Sequence, residues 1–204
     1  EAAIAIDSAR LYREAREKAK IDYEMSLART LQTALQLMPP ETPFADVFAF
    51  SQPARSVGGD LYHGLLRDDG ALAVALGDVS GKGVVAALLM AMSQGLIGLL
   101  HELGQPIEAM MPALNRSLLK HNPGNRFLTL ALGVLRADGS LSLANAGHCP
   151  LALLRADGSV ELVPPQGPIL GLLPMAKWGV AAVQLSAGDS VVFYSDGISE
   201  SFSP

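Results

Sequence analysis

Three times along this chain an Asp-Gly pair sits between two short apolar runs, at Asp68-Asp69-Gly70, Ala137-Asp138-Gly139 and Ala156-Asp157-Gly158. Glycine supplies the positive φ that a tight hairpin needs, so each pair turns one strand back against the next. Antiparallel pairing follows. The runs that read as strands are Ala45–Phe50, Asp60–Leu66, Ala71–Gly77, Phe127–Arg136, Ser140–Ala144, Leu151–Leu154, Val160–Val163, Ala181–Leu185 and Ser190–Tyr194, all short and either apolar or alternating.

Two helical stretches interrupt the strands. Gly83 to His101 reads as one apolar helix ended by Gly104, and Pro106 opens a second that runs to Lys120, with Pro112 predicting a kink or a late start. Strands, two helices and then many strands make an α+β sandwich rather than a parallel βαβ sheet. Upstream, residues 1–38 read as one long helix. Ile4, Leu11, Ala15, Ile21, Met25, Ala28, Leu31, Leu35 and Met38 step by threes, fours and sevens, and Pro39-Pro40 stops the run. Such a helix is about 57 Å long at the standard rise. It either packs on its own domain or pairs with a second copy as a coiled coil, which Lys18 on the stripe weakens. The organisation is therefore a linker helix over 1–40 followed by a domain over 41–204.

Composition excludes several classes. Half of the 204 residues are apolar and 17% are charged, too hydrophobic for a disordered chain. The net charge is −5, and residues 1–29 hold six acidic and six basic side chains, so the excess acid lies beyond Arg29. A binder of nucleic-acid phosphates needs the reverse, clustered Lys and Arg. The single cysteine, Cys149, allows no internal disulfide and no CxxC metal pattern; it reads as a half-buried thiol of a reducing, cytoplasmic compartment. Val84 to Leu100 is free of charge but short for spanning and broken by Ser93, Gln94, Gly95 and Gly98, so a buried core helix is expected and no membrane partner.

Chemistry concentrates at three aspartates beside glycine: Gly58-Gly59-Asp60, Gly77-Asp78-Val79-Ser80-Gly81-Lys82-Gly83 and Ser195-Asp196-Gly197. Each closes or follows an apolar strand, presenting a carboxylate where the backbone can approach a bound ion closely. Hard divalent cations take oxygen ligands of this kind, although a single Asp-Gly pair is also an ordinary turn. Gly81-Lys82 is not a Walker loop, because Gly77 and Gly81 have three residues between them and Gly83 replaces the hydroxyl residue. Lys82 is then a surface cation near a helix start or a contact on the phosphate side. Cys149 lacks the loop and trailing Arg of a cysteine phosphatase, and Gly-x-Ser-x-Gly is absent.

Four segments in order, Pro53 to Tyr62, Gly77 to Met90, Asn145-Ala146-Gly147-His148-Cys149-Pro150 and Tyr194 to Glu200, resemble the motifs of the SpoIIE/RsbU-type bacterial serine/threonine phosphatases of the metal-dependent type 2C (PPM) superfamily. The resemblance runs from about Ala28 to Pro204. It implies a β-sandwich flanked by helices, with two Mn²⁺ or Mg²⁺ ions held by aspartates at one end. By position Asp78 bridges the ions with the Val79 carbonyl as a further ligand, Asp60 and Asp196 hold ions and their waters, and Arg55 is either a phosphate contact or a solvated surface arginine. The same likeness implies hydrolysis of phosphoserine or phosphothreonine on a partner regulator, a STAS-type anti-sigma antagonist, without a covalent enzyme intermediate.

Histidines divide. His148 is either a residue supporting the metals or one bonded to its own turn, while His101 and His121, following helical runs, read as caps or exposed groups. His63 stands where the family often has Asp, which removes a carboxylate expected close to the site. The family also has a further Asp some tens of residues after Asp196-Gly197, beyond Pro204, so the chain reads as truncated. Ala2 to Tyr12 resembles the end of a GAF sensor domain, which implies that the first helix is a transmitter that shifts the Asp78-Val79 loop; its length and apolar stripe separately make it the expected site of homodimerisation. A different class of function also fits: a catalytically silent, dimeric signalling module with the same fold.

Overall fold

In the computed structural model, which describes residues 2–36, 40–51, 57–122 and 124–199, the three Asp-Gly turns close hairpins of one design. Gly70, Gly139 and Gly158 have φ of 77°, 82° and 86°. Each donates its N–H to the carbonyl three residues back, of Arg67, Arg136 or Arg155. The aspartate before each glycine accepts the N–H of Ala71, Ser140 or Ser159, which pins the turn from its other side.

These turns join β1 (Asp60–Leu66) to β2 (Leu72–Val79), β3 (Leu128–Leu135) to β4 (Ser140–Ala146), and β5 (Leu151–Leu154) to β6 (Val160–Val163). β7 (Ala181–Gln184) and β8 (Ser190–Val192) complete two sheets, ordered β1-β2-β3-β4-β7 and β6-β5-β8, in which every strand pair is antiparallel. Side-chain alternation along β3 divides the interior. Leu128, Leu130 and Leu132 point into a core shared with α2 (Val84–Glu102) and α3 (Ile107–His121), where Met90, Ile97, Met110 and Leu114 are sealed from water. Ala131 points the other way, to a second core between the sheets with Leu141, Leu143, Leu151 and Leu153. The result is an α+β sandwich with α2 and α3 covering one outer face.

α1 (Ala2–Leu35) packs on its own domain along only part of its length. Leu11, Tyr12, Ile21, Tyr23 and Leu31 are each more than half exposed. Met25, Ala28 and Gln32 are half-buried, so only the last three turns face the domain.

Three expectations need correction. Ala45–Phe50 is not a strand: among the described residues no ladder partner reaches it, and Phe48 and Phe50 stand 86% and 73% exposed, because alternation without a neighbouring edge cannot make a sheet. α3 starts at Ile107, not after Pro112; burial of Met110, Met111 and Leu114 around the proline holds a turn that has lost one backbone bond. His101 is neither a cap nor exposed. It is fully buried and stacks on His63, ring centroids 6.2 Å apart and planes 4° from parallel.

Candidate active site

Asp60 opens β1 and Asp78 lies one residue before the end of β2, and the hairpin register sets them directly opposite. Directly paired residues share a face, so both carboxylates leave the sheet on one side. Gly59 completes the arrangement. Its carbonyl accepts the Val79 N–H at 3.1 Å. A Cβ added there would collide with the Val79 carbonyl oxygen and come within 2.7 Å of Asp78 Oδ1. Glycine at 59 therefore keeps open a space that a carboxylate and a main-chain oxygen face together.

The chain leaving Asp78-Val79 is tied down. Ser80 N–H donates to the Phe127 carbonyl at 2.8 Å, and Phe127 N–H donates to Ser80 Oγ at 2.9 Å. Arg126 Nη1 donates to the Ser80 carbonyl at 2.7 Å, and its guanidinium lies where a Gly81 side chain would be. With φ of 94° and 83°, Gly81 and Gly83 turn the loop into α2 in a conformation that other residues rarely adopt. Arg126 went unnoticed in the sequence because it lies outside every motif.

Asp196 begins the short α4 (Asp196–Ser199), is exposed, and acts on the pair through its charge. Burial, then Asp60, then Asp196 push the Asp78 carboxyl up to about 7. Burial and the Asp196 charge raise Asp60 as well. Three mutually repelling carboxylates beside a carbonyl oxygen form a donor set suited to a hard cation. Among the described residues, no three acidic, imidazole or thiol groups converge as a ready metal site; Asp60 and Asp78 are paired across the ladder, and Asp196 is near enough for its charge to act on both.

His148 braces this end of the sheet. Its N–H donates to Asn145 Oδ1 at 2.8 Å, and Nδ1 lies 2.9 Å from Thr129 Oγ1. Thr129 is paired with Asp78 in the ladder and reaches the Asp78 carbonyl at 3.4 Å. Burial lowers the His148 pKa, and the Tyr194 carbonyl and Asp196 oppose that shift. His148 is thus bonded to its own turn and linked through Thr129 to the main chain of Asp78.

His63 corrects the sequence reading. Strand alternation sends it away from Asp60 to the helix side of β1, where it is buried against Gly98 of α2. No carboxylate is lost from the face that Asp60 and Asp78 share. Lys82 is exposed, Cys149 is a half-buried thiol outside any disulfide, and Arg55 lies outside the described residues.

The PP2C phosphatase domain of SpoIIE from Bacillus subtilis superposes with a TM-score of 0.61 at 26% identity, over 70% of this chain and 41% of that one. The RsbU and RsbW domains of Rv1364c from Mycobacterium tuberculosis give 0.65 at 31% identity, over 73% of this chain and 42% of that one. Phosphoserine phosphatase RsbU of Bacillus subtilis is 28% identical over 186 residues, 90% of this chain and 55% of RsbU, so the chain spans about half of that relative. The fold is that of the PP2C-type phosphatases. The family model for Stage II sporulation protein E (SpoIIE) matches residues 68–204, and the chain belongs to the SpoIIE family.

Proposed function

We propose that this chain is a metal-dependent phosphatase that removes phosphate from serine or threonine of a partner regulatory protein of STAS type. In this reading Asp60, Asp78, the Val79 carbonyl and Asp196 hold two divalent cations, Mn²⁺ or Mg²⁺, and Arg55 contacts the phosphate. The observation that carries it is the Gly59 cradle, which leaves Asp78 and the Val79 carbonyl facing an open space beside Asp60. Membership of the SpoIIE family and likeness to a phosphoserine phosphatase support it.

Bound divalent cations supply Lewis acidity and neutralise charge in phosphoryl transfer to water. The chain's own residues do the rest. Asp60 and Asp78 accept positive charge that relieves their repulsion, and the Ser80–Phe127–Arg126 bonds keep the Val79 carbonyl aimed. Asp196, on an exposed helix end, closes the set. No cysteine or serine nucleophile is required. The exposed stripe of α1 serves as a homodimer seam through which an upstream event moves the domain, and the protein works in the cytoplasm.

The test is hydrolysis of an aryl phosphate, and then of a phosphoserine peptide, by the purified chain with Mn²⁺. Asp78→Asn is expected to abolish turnover and leave the fold intact. Turnover that survives a chelator unchanged would falsify the two-cation mechanism.

A further inference from the structure

α1 touches the catalytic domain at few places, and one contact lands two residues before Asp60. Gln32 Nε2 donates to the Gly58 carbonyl at 2.7 Å, and the Gly58 N–H donates to Gln32 Oε1 at 3.2 Å. A side-chain amide thereby pairs with main chain as a neighbouring strand would. One turn later, the Leu35 carbonyl accepts from Gln94 Nε2 of α2, which also donates to the Tyr62 carbonyl at 3.3 Å. The same stretch of α1 is thus tied on both sides of Asp60, at residues 58 and 62.

A cavity of about 230 Å³ lies between α1 and this segment, with Arg29, Gln36 and Asp60 in its wall, so the amide spans a gap rather than reinforcing a packed interface. Downstream there is no slack: Gly59 follows Gly58, bonds Val79 through its carbonyl, and has no room for a Cβ. A shift of Gly58 must therefore move Gly59, and with it the spacing of Asp60, Asp78 and the Val79 carbonyl.

We propose that Gln32 is a positioning residue, whose paired bonds to Gly58 convert the placement of α1 into cation affinity at Asp60 and Asp78. The inference deepens, and rests on, the two-cation reading of the site. Its chemistry is selective. Rotating α1 by one residue either way would offer Gly58 a leucine, Leu31, or the short hydroxyl of Thr33. Neither presents a donor and an acceptor side by side at that reach. Glutamate at 32 keeps the acceptor for Gly58 N–H but sets a carboxylate against the Gly58 carbonyl.

Two measurements on the whole chain test it. Amide hydrogen exchange without added metal reads the clasp: Gln32→Ala is expected to speed exchange at Gly58 and Val79 about tenfold, with Gln32→Glu speeding Val79 more than Gly58. Mn²⁺ titration by calorimetry reads the coupling: Gln32→Ala should weaken binding about tenfold or more, as loss of residues that orient ligands does. Turnover at saturating Mn²⁺ should return to within about twofold of the parent, and the thermal midpoint should hold, which a merely structural role would not give. Unchanged exchange at Gly58 and Val79, or accelerated exchange with unchanged Mn²⁺ affinity, overturns the proposal while the phosphatase reading stands. A parent chain that itself binds no Mn²⁺ removes both, and its own isotherm tells that case apart.

Discussion

Asp60 and Asp78 face each other across the β1–β2 ladder, and the Asp78 carboxyl is held up to about 7 by burial and by its acidic neighbours. A carboxylate whose folded-state pKa lies above its unfolded value weakens the fold once the solution pH exceeds the unfolded value. Asp78→Asn is therefore expected to stabilise the metal-free chain at pH 8, by roughly 1–2 kcal/mol after allowance for solvent screening. Urea unfolding with chelator present checks this, and loss of stability in the variant would contradict it.

Gly59→Ala tests the cradle. The new methyl would meet the Val79 carbonyl oxygen, which is main chain and cannot swing aside. We expect a stability loss of about 1–3 kcal/mol and Mn²⁺ binding weakened at least about tenfold. Gly70→Ala is the comparison, since a Cβ there meets nothing and its cost comes only from the φ of 77°.

Buried histidines predict acid sensitivity. Burial lowers the His63 pKa against the pull of Glu102, and burial, His63 and Arg67 together lower His101 to about 4. Both rings stay neutral in the fold while the unfolded chain takes up protons near pH 6.5, so this contribution is complete above that pH and shrinks as the solution is acidified toward 4. Among the described residues, neither ring has a hydrogen-bond partner on either nitrogen. His101→Leu should flatten the fall in unfolding midpoint between pH 7 and 5 and cost nothing, or add about 1 kcal/mol, at pH 7.

Thr129→Val removes the hydroxyl beside His148 Nδ1 without changing shape. A buried ring nitrogen left unpaired should cost about 1–3 kcal/mol in thermal unfolding. Thr129→Ser, which restores the oxygen, should recover most of it.

The proposed dimer depends on the outward stripe of α1. Leu31→Glu, at a site 69% exposed, should convert dimer to monomer in sedimentation velocity with the thermal midpoint nearly unchanged. A parent that is monomeric at tens of micromolar would remove the seam.

Much of this architecture is legible in the sequence, and for local reasons. β1, β5 and β6 lie where alternation and the Asp-Gly turns place them, because glycine at positive φ is a demand that few other signals imitate. Gly58-Gly59-Asp60 and Asp78 were visible as motifs, and the hairpin register brings two of their carboxylates together. The rest depends on partners distant in sequence. Phe48 and Phe50 alternate like strand residues and find no edge, while His101 sits inside a helix stripe whose polar members Ser93 and Gln94 are buried too. Gln32 carried no signal, since an amide beside two leucines on a helix looks like solvent-facing filler until the fold sets Gly58 against it.

The hairpin joining β1 to β2 closes over a turn of a few residues, so Asp60 and Asp78 become neighbours through contacts that are short in sequence. Asp196 arrives from 118 positions further on, after six more strands and two helices have found their places. Chains dominated by nearby contacts organise first, and distant ones wait. A ribosome-bound fragment ending before β8 would thus already hold a charged, half-built cleft, and the ability to grip an ion would arrive only once β8 and the turn carrying Asp196 had left the ribosome.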